Sequence, residues 1–194
     1  MARIVPIAVL TMLRRGEILA LRDRDLDAER ASLAVFGQER DGRRAPTKSR
    51  AGRRTVDLGP LAVELLREQQ AARTANRAGY LFPTSSGLAF DAHTFMGRYF
   101  KPAARAAGIP ELTFHDLRHT GASLMIAAGC HVKVIAEQMG HADGGALVLQ
   151  RYGHLYAGAR RQAAQALESH IRGTLGDRGV GSVWDGRQLG LDIG

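Results

Sequence analysis

Gly59 and Pro60 divide this chain into two kinds of sequence. Before them, short stretches alternate apolar and polar residues around Asp25 to Asp27, Ser32 to Phe36 and Thr55 to Leu58, and this alternation predicts a small antiparallel meander of three strands. After them nearly every segment repeats at helical spacing, beginning with LAVELLREQQ behind a proline that suits a first helical turn. Ahead of the strands, residues 2 to 13 are almost wholly apolar and Arg14 to Leu21 continues at helical spacing, which predicts two short helices or one bent near Arg15-Gly16. The fold class that follows is α+β, mainly α-helical with a small three-stranded antiparallel sheet.

Glycine, proline and capping residues then mark out the helical part. A helix over Phe90 to Ala107 stops at Gly108-Ile109-Pro110, and Thr113 caps the next one, FHDLRHTGASLMIAAG, which ends at Gly129. His131 to Met139 is closed by Gly140; after Gly144-Gly145 come ALVLQRYGHLY and an amphipathic ARRQAAQALESHIR. Seven of the 22 residues from Gly173 to Gly194 are glycine, so the expected organisation is one domain over residues 1–172 and a disordered tail over 173–194. No apolar run reaches the length of a membrane span. MARIVPIAVLTML lacks a charged leader and a cleavage site, so it reads as a buried helix rather than a signal peptide. A single cysteine, Cys130, excludes a disulfide framework and suits a reducing cytoplasm.

The formal charge of +8 is concentrated. Between Arg40 and Arg54 there are seven basic residues and one acid, giving +6 in fifteen residues. Gly42, Pro46 and Gly52 break any helix there, so the segment is a basic loop or hairpin. Its expected partner is a polyanion, most commonly nucleic acid, with Arg43, Arg44, Arg50, Arg53 and Arg54 as the DNA-binding candidates. The competing reading is a solvated loop in an Arg-rich composition.

Five elements need a joint explanation: LRRGE at 13–17, TKSR at 47–50, HDLRH at 115–119, GH at 140–141 and RYGHLY at 151–156. His115 and Arg118, three apart on a helix, share a face, and the planar guanidinium fork suits adjacent phosphate oxygens. His119 is expected to point elsewhere, as a packing or hydrogen-bonding residue. A zinc site on His115, His119, Cys130, His131 and His141 is the enzymological rival, but its spacing is weak, with one cysteine and no HExxH. No metal or cofactor is expected.

In this order, over roughly residues 3 to 170, the motifs resemble the catalytic domain of the tyrosine recombinases, the phage-integrase family; LTFHDLRHTGAS is the most specific piece, with MGH and RYGHL next. The resemblance implies the DNA breaking-rejoining catalytic fold and a set of roles. Arg14 and Arg118 would clamp the scissile phosphate, and Lys48, on a β-hairpin, would act as general acid toward the leaving 5′ oxygen. His115 would assist proton transfer, His141 would hydrogen-bond the phosphate, and Tyr152 would be the nucleophile, with Tyr156 one turn beyond as its rival. The implied reaction is site-specific recombination or integration through a 3′-phosphotyrosyl link and a free 5′ hydroxyl. Implied partners are double-stranded DNA, further copies of the chain in a tetramer on that DNA, and a separate DNA-binding protein or accessory factor.

Elementary chemistry accounts for such a set. A phenol ionising near pH 10 is a poor nucleophile at pH 7 and needs a base or an electropositive pocket. The phosphoryl transition state gathers negative charge that fixed cations stabilise, and a leaving alkoxide needs a general acid. Two local departures from the family pattern bear on geometry: His141 and Tyr152 are eleven residues apart where nine or ten is usual, and Met12 stands where glycine is common. Arg14 also lies only thirteen residues from Met1, so the expectation is a chain without the helical clamp domain that normally precedes this one. Two functions therefore stay open, a strand-exchange enzyme and a non-catalytic DNA-binding or vestigial integrase fragment.

Overall fold

Helix α1 (Ile4–Thr11) buries Ile4, Ile7, Ala8 and Thr11 and ends where Met12 turns left-handed, with φ of 51°. That conformation costs a side chain-bearing residue about 1 kcal/mol, which is a physical reason for glycine to be common at this position. Helix α2 (Arg15–Leu19) starts three residues later, so the predicted bend falls at Met12–Arg14 rather than Arg15-Gly16. The computed structural model describes residues 3–40, 43–46, 52–156 and 158–175.

Three strands form the expected sheet. β1 (Leu26–Asp27), β2 (Ser32–Val35) and β5 (Arg54–Asp57) are antiparallel in the order β1-β2-β5, with Leu33 opposite Val56 and Val35 opposite Arg54. Alternation places Leu33, Val35 and Val56 in the core. Between β2 and β5 the chain leaves the sheet as a separate hairpin, β3 (Gly37–Arg40) with β4 (Arg43–Pro46). This hairpin lies against α2, where a Cβ added at Gly16 would stand 3.2 Å from the Glu39 carbonyl oxygen.

Helix α3 (Pro60–Ala72) starts at its proline, and its buried Gln69 donates from Nε2 to the Leu81 carbonyl at 2.8 Å. The helix expected over Phe90 to Ala107 runs without a break over residues 92–106 but widens in its middle. It consists of α4 (Ala92–Phe95), a wide turn over Met96–Phe100 and α5 (Lys101–Ala106). Phe95 and Phe100 both pack on Phe114, with ring centroids 5.8 and 5.4 Å away, which fixes the start of α6 (Phe114–Ala127) in the core. Thr113 caps α6 as expected: its Oγ1 accepts from the Asp116 N–H at 3.2 Å and the Asp116 carboxylate accepts from the Thr113 N–H at 2.8 Å.

Helix α7 (Val132–Met139) ends at Gly140, whose φ of 70° is left-handed, and α8 (Ala146–Tyr152) follows. The added length between His141 and Tyr152 is absorbed in a turn in which Gly144 and Gly145 have positive φ and the Asp143 carboxylate accepts from the backbone N–H groups of Gly145 and Leu147. α8 buries Val148 and Tyr152 while Leu147 and Leu149 stay exposed.

The chain separates into two compact units, Met1–Tyr152 and Gly153–Gly194. Described parts of the second are a short turn of helix over Gly153–Tyr156 and α9 (Ala159–Leu175), with an exposed Arg172–Glu168 ion pair one turn apart. Most of the expected tail, residues 176–194, lies outside the described residues. Among the described residues no helix is long and apolar enough to cross a membrane.

Candidate active site

The site is organised by the end of α7. Its last carbonyls point out of the helix without intrahelical partners, and three consecutive ones each accept from a different arginine. Arg54 Nε donates to Gln138 O at 2.9 Å, Arg118 Nη2 to Met139 O at 2.7 Å and Arg14 Nη2 to Gly140 O at 3.3 Å. The negative end of the helix dipole faces all three cations. Arg118 also donates from Nη1 to the carbonyl of Met12, at the end of α1, so two helix termini hold this guanidinium in place.

One carboxylate serves two of the three arginines. Glu17, 3% exposed, accepts from the Arg14 backbone N–H at 2.9 Å, from Arg14 Nη1 at 2.8 Å, and from Arg54 through two bonds of 3.1 and 3.0 Å. Burial alone would raise the Glu17 carboxyl, but hydrogen bonds and charge from Arg54, then Arg14, outweigh it and hold the group below the usual 4.5. Three guanidinium groups against one carboxylate leave the cluster at +2. Among the described residues Arg118 has only neutral acceptors; it is pushed down to about 9, first by burial and then by the charge of Arg14, so it remains protonated at pH 7.

Glu17→Gln is expected to cost about 3 kcal/mol in urea denaturation at pH 7, because Arg54 is left buried beside a neutral amide. The folded pKa of Glu17 lies below its unfolded value, so its contribution is complete above pH 4.5 and is lost as pH falls through the folded value. The stability gap between wild type and the variant should therefore close as pH drops below 4.5; a constant gap would contradict the pairing.

Arg54 departs from the basic-loop expectation. Its side chain is 7% exposed and committed to Glu17 and Gln138, so it does not face outward for a nucleic acid. Arg53 is exposed. Arg43 and Arg44 lie on β4, but their side chains, and the whole of Lys48 and Arg50, lie outside the described residues.

Three imidazoles complete the site. Arg118 Nη2 lies 3.2 Å from His141 Nε2, and since a guanidinium only donates, Nε2 accepts and the proton sits on Nδ1. That Nδ1 is buried without a hydrogen-bond partner among the described residues. His115 and His119 stack edge to face with centroids 4.3 Å apart, and the imidazole bonded to the Tyr152 hydroxyl is that of His119. His119 was expected to point elsewhere. Its spacing of four from His115 was the signal, because i and i+4 share a helix face as well as i and i+3 do. Burial, followed by the charges around them, holds His115, His119 and His141 below the ordinary 6.5, so all three are neutral at pH 7. Tyr152, 6% exposed, is pushed up by burial against the opposing pull of Arg151 and Arg118.

A cavity of about 370 Å³ opens beside Arg14 and His115, walled by Leu13, Met96 and Phe114, so both polar groups can be reached from solvent. Among the described residues no three His, Cys, Asp or Glu side chains form a group able to hold a metal ion.

The fold is that of the tyrosine recombinase catalytic domains. Similar solved structures include the Tn1549 transposon integrase in complex with a circular intermediate DNA (TM-score 0.70, 22% identity, covering 85% of this chain and 58% of that one). Another is the XerA recombinase (TM-score 0.60, 25% identity, 85% and 61% covered). The chain belongs to the phage integrase family, whose model matches residues 2–158. Relatives include a prophage phiRv2 integrase of Mycobacterium tuberculosis, 31% identical over 170 residues that cover 84% of this chain and 44% of that protein. A XerC-like tyrosine recombinase of Caldanaerobacter subterraneus is 28% identical, with 69% and 40% covered. The chain thus spans less than half the length of these relatives.

Proposed function

We propose that this chain is the catalytic part of a site-specific DNA recombinase that cleaves and rejoins one strand at a time through Tyr152. The carrying observation is the +2 cluster, in which, among the described residues, a buried Arg118 has no carboxylate partner and the His141 N–H is unpaired, together with a buried phenol bonded to the imidazole of His119. A phosphodiester brings one negative charge and its pentacoordinate transition state two, which matches the deficit.

In this reading Tyr152 Oη bonds to phosphorus as the bond to the 5′ oxygen breaks. The phenol proton passes to neutral His115, and Lys48 protonates the leaving oxygen, so every proton is accounted for. Arg14, Arg118 and His141 bind the non-bridging oxygens, and Arg43, Arg44, Arg50 and Arg53 hold the duplex. Double-stranded DNA is the partner, with four copies of the chain acting on two duplexes inside the cytoplasm, alone or with a separate DNA-binding protein. The tail begins after the end of α9 at Leu175 rather than at residue 173.

The test is a duplex pool randomised around one 5′-bridging phosphorothiolate. Wild type should form a covalent protein–DNA adduct with a free 5′ thiol. If the chain forms none while the same chain fused to a clamp domain does, it acts as a DNA-binding fragment and the proposal fails for this protein. Because a thiolate leaves without protonation, Lys48→Ala should slow cleavage of the ordinary phosphodiester by about a hundredfold or more and leave the phosphorothiolate nearly unaffected. Equal losses on both would remove Lys48 from the acid role. Since His115 must be neutral to take the proton, cleavage should fall on the acid side as pH drops below 6.5.

A further inference from the structure

His119 has no part in the roles above, yet its ring touches the phenol. It stands one turn after His115 on α6, with Nδ1 bonded to the Tyr152 hydroxyl and Nε2 3.0 Å from Arg151 Nη1. A guanidinium has donors only, so Nε2 must accept; a neutral ring then carries its proton on Nδ1 and gives it to the tyrosine oxygen. Arg151 immediately precedes Tyr152 in α8, so the helix that supplies the phenol also supplies the group that fixes the tautomer.

We propose that His119, locked by Arg151 as the Nδ1–H tautomer, donates to the Tyr152 oxygen a hydrogen bond that strengthens as the phenol ionises and aims that oxygen for attack. This rests on Tyr152 being the nucleophile. A hydrogen bond to an ionised acceptor is roughly twice as strong as one to a neutral acceptor, so the contact favours phenolate over phenol. Burial of Tyr152 works in the opposite direction, which gives the donor something to offset. The charged and titratable groups facing this pair are His115, Asp116 and Arg118 from α6 and Arg151 from α8. His119 is not the base in this arrangement: the lone pair of Nε2 is taken by Arg151, and the Tyr152 proton departs toward another acceptor. Arg151 is a positioning residue that acts through the imidazole.

Two spectroscopic measurements on the full chain test this without DNA. In protein labelled at tyrosine Cζ, the Tyr152 signal, identified by its loss in Tyr152→Phe, reports the ionisation of the phenol. His119→Ala should make Tyr152 about a tenfold weaker acid, and His119→Asn, whose amide N–H can take the place of Nδ1–H, should restore most of the difference. Imidazole 15N shifts should show His119 protonated at Nδ1 in wild type and a loss of that preference in Arg151→Met. An unshifted Tyr152 midpoint in His119→Ala, or a wild-type ring protonated at Nε2, overturns the proposal. Adduct formation on the phosphorothiolate pool provides the separate arm. Its rate at pH 7 should fall severalfold in His119→Ala, whereas a phenol midpoint that shifts in His119→Ala while the wild type forms no adduct overturns the recombinase reading and leaves the hydrogen bond standing.

Discussion

Tyr152→Phe is expected to reduce adduct formation with the phosphorothiolate duplex pool by at least about 10⁴-fold, since no nucleophile of comparable placement remains. The fold should hardly respond. The substitution removes one hydroxyl and its bond to His119 while the buried ring stays, a change of about 1 kcal/mol in urea denaturation. DNA affinity and its decline with salt should match wild type, because the phosphate-binding cations are untouched. Mapping the adduct by peptide mass spectrometry separates Tyr152 from Tyr156. An adduct that persists in Tyr152→Phe, or that maps to Tyr156 in wild type, would falsify the assignment of the nucleophile.

Gly121→Ala should produce a loss of stability as large as that of Glu17→Gln. A Cβ built at Gly121 stands 2.2 Å from the Val9 carbonyl oxygen and 2.6 Å from Met12 Cγ. The methionine side chain can swing aside, but the carbonyl belongs to the backbone of α1 and cannot. Helices α1 and α6 must then separate along a contact in which Ile7 and Ala8 are fully buried, at a cost of about 3 kcal/mol. For a domain of this size that corresponds to a fall in Tm of roughly 10 °C. Leu124→Ala on the same helix, at an exposed position, is the control and should change stability by less than about 0.5 kcal/mol. Activity should fall with the fold, since the Met12 carbonyl that anchors Arg118 moves with α1. An unchanged urea midpoint in Gly121→Ala would mean that the two helices do not meet there.

Much of this was legible in the chain. Thr113 announced the start of α6 because its hydroxyl and the Asp116 carboxylate lie three residues apart, a relation confined to one turn. Alternation marked the strands at Ser32 to Phe36 and Thr55 to Leu58, and Gly140 marked the end of α7, since both signals are carried by neighbours in sequence. The break after Met12 was placed a few residues late, because nothing local marks a methionine for a left-handed turn. The wide turn at Met96–Phe100 was also invisible; it answers to the packing of Phe95 and Phe100 on Phe114, a residue from the next helix.

The sequence by itself determined the inventory: a three-stranded sheet ahead of a helical body, and Arg14, Lys48, His115, Arg118, His141 and Tyr152 in an order that identifies the family. Only the tertiary structure decided which of the basic and imidazole groups meet. It turned Arg54 inward onto Glu17, brought three arginines to successive carbonyls at the end of α7, and set His119 against Tyr152. The physical reason is the range of the interactions. Spacing along one helix states which side chains share a face, but the partner of that face is chosen by how α1, α6, α7 and α8 pack, and no local pattern in the chain carries that choice.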